Sequence, residues 1–133
     1  MVKRSLNDED RFLQVLADFL GPQYNVTAID FGRVTVRESI KKVSQSDILV
    51  GVHGAGLIWA GFLPIHGGLI ELFGGDRGSS NRHYHNLASL ADVHYRELTL
   101  GGSDPISWDN GTVEELVQQI QRIDLKHKSI EPS

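Results

Sequence analysis

The sequence predicts an α/β layer fold with a mostly parallel sheet, and three observations carry that prediction. Short β-branched apolar runs alternate with amphipathic stretches along the 133 residues. One such alternation, "DILVGVHGAGLIWAGFLPIHGGLIELF" from Asp47 to Phe73, sets two buried-strand patterns on either side of a glycine-rich turn and an apolar helix, as in a βαβ unit. The last long segment, "TVEELVQQIQRIDL", is apolar on one helical face only, as expected of a helix that covers a sheet.

Each element follows from local signals. "LNDEDRFLQVLADFLG" predicts a helix with Asn7 as N-cap, acids at 8 to 10 near the positive end of its dipole, and Phe12, Leu13, Leu16, Phe19 and Leu20 on one face. Gly21 and Pro22 stop it. "YNVTAIDF" (24–31) predicts a strand, and "TVRE" (35–38) a capping box opening a second helix with Val36, Ile40 and Val43 inward. A strand at 47–52, a helix at 55–62 and a strand at 68–73 follow. After a glycine-rich loop at 74–80 come a helix over 81–92 carrying Leu87, Leu90 and Ala91, then the strand "VHYRELTL". The closing helix has a second capping box at Thr112 and apolar positions 113, 116, 117, 120 and 123. The tail from 126 to 133 is expected to fray. Residues 1–133 are thus expected to form a single domain. Such domains usually open on a strand rather than a helix, so either the sheet begins late or the sequence starts partway through a larger domain.

Composition narrows the function. With 40% hydrophobic residues, 23% charged residues and a net charge of −4, the chain lacks the basic excess of a nucleic-acid binder, so any anion must be held locally. There is no cysteine, hence neither a disulfide nor thiol chemistry. No apolar run approaches the roughly 18 residues of a membrane span, and the first residues lack the apolar core of a signal peptide. "NVT" at Asn25 and "NGT" at Asn110 fit the N-glycosylation acceptor pattern, which matters only in a secreted context.

The candidate site is the turn in "VGVHGAGL". In open parallel sheets, ligands bind beyond the carboxyl ends of the strands, where glycines admit them to the backbone and helix N-termini offer free N–H groups. Gly54 and Gly56 remove two β-carbons there, and the amides of Gly54, Ala55, Gly56 and Leu57 head the following helix, a cradle suited to phosphate. His53 ends the strand and can donate to a phosphate oxygen. Glu71, flanked by Ile70 and Leu72, is a carboxylate that burial would penalise without a partner: either ribose hydroxyls or an arginine. The histidines of "HYH" (83–85) stand two apart on a predicted helix with no third ligand at suitable spacing, so no metal site is expected. His66 and His94 are expected in a loop and on a strand surface.

The run "SDILVGVHGAGLIWAGFLPIHGGLIELF", with "KRSLNDEDRFLQVL" before it and "DVHYREL" after it, resembles the carboxyl-terminal half of glycosyltransferase family 61. The resemblance implies a Rossmann-like three-layer sandwich, the nucleotide-binding lobe of a two-lobed GT-B enzyme that inverts the anomeric centre. It implies a UDP-sugar donor, bearing a sugar such as GlcNAc or xylose, and no permanently bound cofactor. His53 and the amides of Gly54 to Leu57 would meet the diphosphate or sugar, Glu71 the ribose, and Arg4 would stand as a counter-charge at the phosphate edge. The acceptor, a glycan or protein, would bind an amino-terminal lobe outside this chain that also brings the general base, so the chain by itself is expected to be inactive. In a eukaryote, the lumen of the secretory pathway would be the compartment. Trp59 and Gly61 depart from the family's usual residues, and the loop at 74–82 is longer.

Two other readings compete. A non-catalytic Rossmann-like interaction domain, self-associating through an apolar face near Trp59 and Phe62, needs none of this chemistry. A hydrolase using "HGAG" as an oxyanion turn needs a Gly-x-Ser-x-Gly elbow, which the sequence lacks. A dinucleotide site fails on glycine order, "GVHGAG" being Gly-x-x-Gly-x-Gly.

Overall fold

The computed structural model describes residues 7–52, 55–74, 88–90, 92–102 and 106–130, with backbone alone at 55–58, 102 and 125–130. Three strands, β1 (Ile48–Val52), β2 (Gly68–Phe73) and β3 (His94–Thr99), form a parallel sheet in the order β1-β2-β3. The result is a mixed α/β fold around a small parallel sheet, consistent with a Rossmann-like arrangement. The register runs Ile48↔Gly68↔His94 at one edge and Val52↔Leu72↔Leu98 toward the other, and β2 and β3 continue to the Phe73↔Thr99 pair past the end of β1. A short antiparallel pair, β4 (Gly101–Gly102) and β5 (Ile106–Ser107), lies beyond β3.

The central strand β2 is buried at every position, because apolar residues cover both of its faces. On one side Ile70, Leu72 and Leu98 pack with Phe12, Leu16 and Leu20 of α1 (Glu9–Leu20) and with α3 (Asn110–Ile130). All five expected apolar positions of α3, Val113, Leu116, Val117, Ile120 and Ile123, are buried there. On the other side Leu49 and Leu69 meet Val43 of α2 (Val36–Ser44), Ala60, Leu63, Ala88 and Val93.

Several local expectations are corrected. Residues 24–31 form no strand. Tyr24 and Val26 pack with the α1/α3 cluster, whereas Ile29 and Phe31 pack with the α2 cluster, so the segment passes from one face of the sheet to the other. Even positions thus meet one cluster and odd positions the other, as a strand's would, but the segment enters no sheet ladder. Asp8, at φ 48° and without a side-chain cap bond, precedes α1 in place of Asn7. Asn7 is tied elsewhere: its N–H donates to the Ile106 carbonyl at 2.8 Å, and its own carbonyl accepts from Trp108 Nε1. Thr35 caps α2 as expected, accepting from the Glu38 N–H at 3.1 Å, but Val36 is 63% exposed and Ser39 takes the inward position beside Val43. The α3 box lies three residues earlier than expected. Asp109 Oδ1 accepts from the Thr112 N–H and Thr112 Oγ1 from the Asp109 N–H, each at 2.9 Å.

The helix expected at 55–62 is a 3-10 helix, Ala55–Phe62. It is short, contains two glycines and stops at Phe62 ahead of Pro64, which disfavours α geometry at Leu63. Of the helix expected over 81–92, residues 88–90 are helical, with Ala88 buried and Leu90 87% exposed, while 81–87 and 91, with Leu87 and Ala91, lie outside the described residues. Among the described residues no helix is long and apolar enough to cross a membrane.

Candidate functional site

Parallel pairing in register decides what can meet at the carboxyl edge. Val52, the last residue of β1, sits opposite Leu72 of β2, one position beyond Glu71. The 3-10 helix starts at Ala55, so Ala55, Gly56 and Leu57 make its first turn, where main-chain N–H groups have no acceptor within the helix. His53 and Gly54, which join the two, lie outside the described residues, as do Arg4, the loop from 75 and the "HYH" histidines. The structure therefore brings the first turn of the 3-10 helix and the end of β2 to one side of the sheet.

Glu71 is fully buried, at 0% exposure. Its neighbours in register are Gly51 on β1, which has no side chain, and Glu97 on β3. The Tyr95 hydroxyl donates to Glu71 Oε1 at 2.6 Å, with Glu97 Oε2 3.4 Å from the same phenol oxygen. Burial, then the hydrogen bond to Glu71, pushes the Tyr95 phenol far above its ordinary value of 10.0. The negative charges of both carboxylates add to the shift. Of the two partners open for Glu71, ribose or arginine, neither anticipated this phenol.

Tyr95 was not among the expected site residues. Its signal is present in "HYREL", where alternation puts Tyr95 and Glu97 on one face of β3, but only the β2–β3 register shows that this is the face of Glu71. His66 and His94 belong to the opposite edge. His66, at φ 68°, sits in the turn before β2 with its Nδ1 3.9 Å from Asp92 Oδ2, and His94 starts β3. Their rings stand 6.4 Å apart. Among the described residues no three His, Asp or Glu side chains gather to hold a metal.

The carboxyl edge thus carries, after β1, the unsatisfied main-chain donors of the first 3-10 turn and, on β2, a buried carboxylate hydrogen-bonded to Tyr95. The family model for glycosyltransferase 61 matches residues 2–70, from before α1 to Ile70, one residue short of Glu71. The chain is 31% identical over 93 residues to the EGF domain-specific O-linked N-acetylglucosamine transferase of Drosophila melanogaster, a match covering 70% of this chain and 17% of that protein. It is 38% identical over 61 residues to the alpha-1,3-arabinosyltransferase XAT3 of Oryza sativa subsp. japonica, covering 44% of this chain and 11% of that protein. This chain corresponds to only a small part of either relative's length. With more than half of its residues inside the family model, the chain belongs to the glycosyltransferase 61 family.

Proposed function

We propose that this chain is the nucleotide-sugar-binding lobe of an inverting glycosyltransferase, a GT-B type three-layer sandwich that works as one half of a larger two-lobed enzyme. What supports the reading is the parallel register that sets Gly51, next to the end of β1, opposite Glu71, with the 3-10 helix starting at Ala55 shortly after that strand ends. In this reading His53 and the amides of Gly54, Ala55, Gly56 and Leu57 hold the diphosphate of a UDP-sugar, Arg4 neutralises its outer edge and Glu71 accepts from the ribose hydroxyls. The acceptor oxygen, deprotonated by a base from the other lobe, attacks the anomeric carbon while the bond to the diphosphate breaks. The electron pair leaves with UDP, where fixed N–H donors and the arginine stabilise the growing charge. GlcNAc or xylose would suit as the sugar, and a glycan or protein hydroxyl as the acceptor.

Because Glu71 is shielded from solvent, a ribose reaches it only when the side chains over it shift, so binding is coupled to a local rearrangement at the end of β2. The test is thermal unfolding with UDP. At a hundredfold excess over Kd, a ligand of the folded state stabilises by about 2.7 kcal/mol. UDP is expected to raise the midpoint by several degrees, and His53→Ala to remove most of that rise. No response to UDP, or to any nucleotide, contradicts the proposal.

A second reading, self-association, draws on an apolar surface. Phe62 is 45% exposed and stacks toward Trp59 at 5.9 Å, and Trp59 stacks on Phe31 at 5.8 Å. Size-exclusion chromatography separates the two: a dimer indifferent to nucleotide favours the second.

A further inference from the structure

We infer that Tyr95 is a positioning residue, orienting the Glu71 carboxylate toward the ribose hydroxyls of the bound nucleotide. This rests on the nucleotide reading above and assigns a role to a residue on a third element, β3. Tyr95 pairs with Leu69, and Glu97 with Glu71, so the phenol reaches Glu71 along the diagonal of the β2–β3 pair, a path open to long aromatic side chains. The 2.6 Å separation gives the single phenol proton to Glu71 rather than to Glu97, 3.4 Å away.

The surroundings make that bond orienting. A carboxylate in a strand can turn about its side-chain torsions unless something fixes it, and a charge-assisted bond at 2.6 Å fixes one oxygen in place. Like charges directly opposite each other on paired strands repel, and Glu97 stands opposite Glu71. The phenol lies between them and holds Glu71 away from its neighbour. Opposite Glu71, β1 presents Gly51, the 3-10 helix carries no ionisable residue, and α2 buries Ser39 and Val43. Tyr95 itself is half-buried and Glu97 is exposed, so the trio runs from the interior of the sheet to its surface.

Binding of UDP, of 2′,3′-dideoxy-UDP and of inorganic pyrophosphate to this chain by calorimetry tests the inference. Pyrophosphate reports the phosphate cradle alone, and the dideoxy analogue lacks the hydroxyls that Glu71 would accept from. The unaltered chain is expected to prefer UDP over the dideoxy analogue. Tyr95→Phe, which keeps the ring, is expected to weaken UDP about tenfold, the worth of one charge-assisted hydrogen bond. Its pyrophosphate and dideoxy-UDP affinities should stay within about twofold, a pattern that loss of structure would not produce. In a Glu71→Gln background the same substitution is expected to cost UDP little further, since Tyr95 acts through Glu71. Equal preference for UDP in the unaltered chain and in Tyr95→Phe overturns the inference and leaves the nucleotide reading standing. Binding of pyrophosphate with no preference between the two nucleotides overturns the Glu71–ribose contact, and the inference with it. Failure to bind any of the three overturns the nucleotide reading itself.

Discussion

A β-carbon on Gly68 would lie 2.6 Å from Ile123 Cγ2 and 3.3 Å from Ile48 Cγ1, so the first residue of β2 sets how closely α3 approaches the sheet. Gly68→Ala is therefore expected to lower stability by about 1–3 kcal/mol, as overpacking of a dense core does. Urea unfolding would measure it. Among the described residues, two raised phenols contribute a pH dependence on the alkaline side. Burial raises the Tyr24 phenol, with a further contribution from its 2.9 Å hydrogen bond to Asp124, and burial together with Glu71 raises Tyr95. Both favour the protonated phenol in the folded chain. Their stabilisation is complete below the ordinary phenol value of 10.0 and is lost as pH climbs above it toward the folded-state values. The urea midpoint is expected to stay level up to about pH 10 and to fall beyond it, with a shallower fall in Tyr95→Phe.

Among the elements, the legible ones are those whose pattern is local. β2 was readable because a strand buried on both faces is a continuous apolar run, as "GLIELF" nearly is, and β1, buried only at Leu49, because "ILVGV" is a short β-branched apolar run. The stripe on α3 was readable because five apolar residues recur at helical spacing. Residues 24–31 were not, because their alternation is strand-like, with Tyr24 and Val26 toward one cluster and Ile29 and Phe31 toward the other, and a local pattern does not show that they enter no sheet ladder. The caps fall between these cases. Thr35 was legible from its own box, but the start of α3 depends on Asp109, and the start of α1 on the bonds that hold Asn7 to β5 and Trp108. Thr35→Ala and Asp109→Ala are each expected to cost about 1 kcal/mol, read from the denaturation midpoint. At the site the same division holds. Glu71 stood out as an acid inside an apolar run, whereas Tyr95 became visible only when the register fixed which face of β3 meets β2.

At the scale of the whole molecule, family membership and geometry point the same way. Family 61 places the chain among glycosyltransferases, and the nucleotide site proposed above lies at the sheet's carboxyl edge, where the 3-10 helix follows β1 and Glu71 is buried on β2. The chain matches 17% of one relative and 11% of another, so acceptor choice and the base belong, in the proposed two-lobed enzyme, to residues beyond it. A residue-resolved amide titration with UDP tests the nucleotide site most directly. The account predicts saturable shifts at Ala55, Gly56 and Leu57 and along the end of β2 around Glu71. Spectra unchanged at millimolar UDP, or shifts confined to the opposite edge at Asp47, Gly67 and His94, would contradict it.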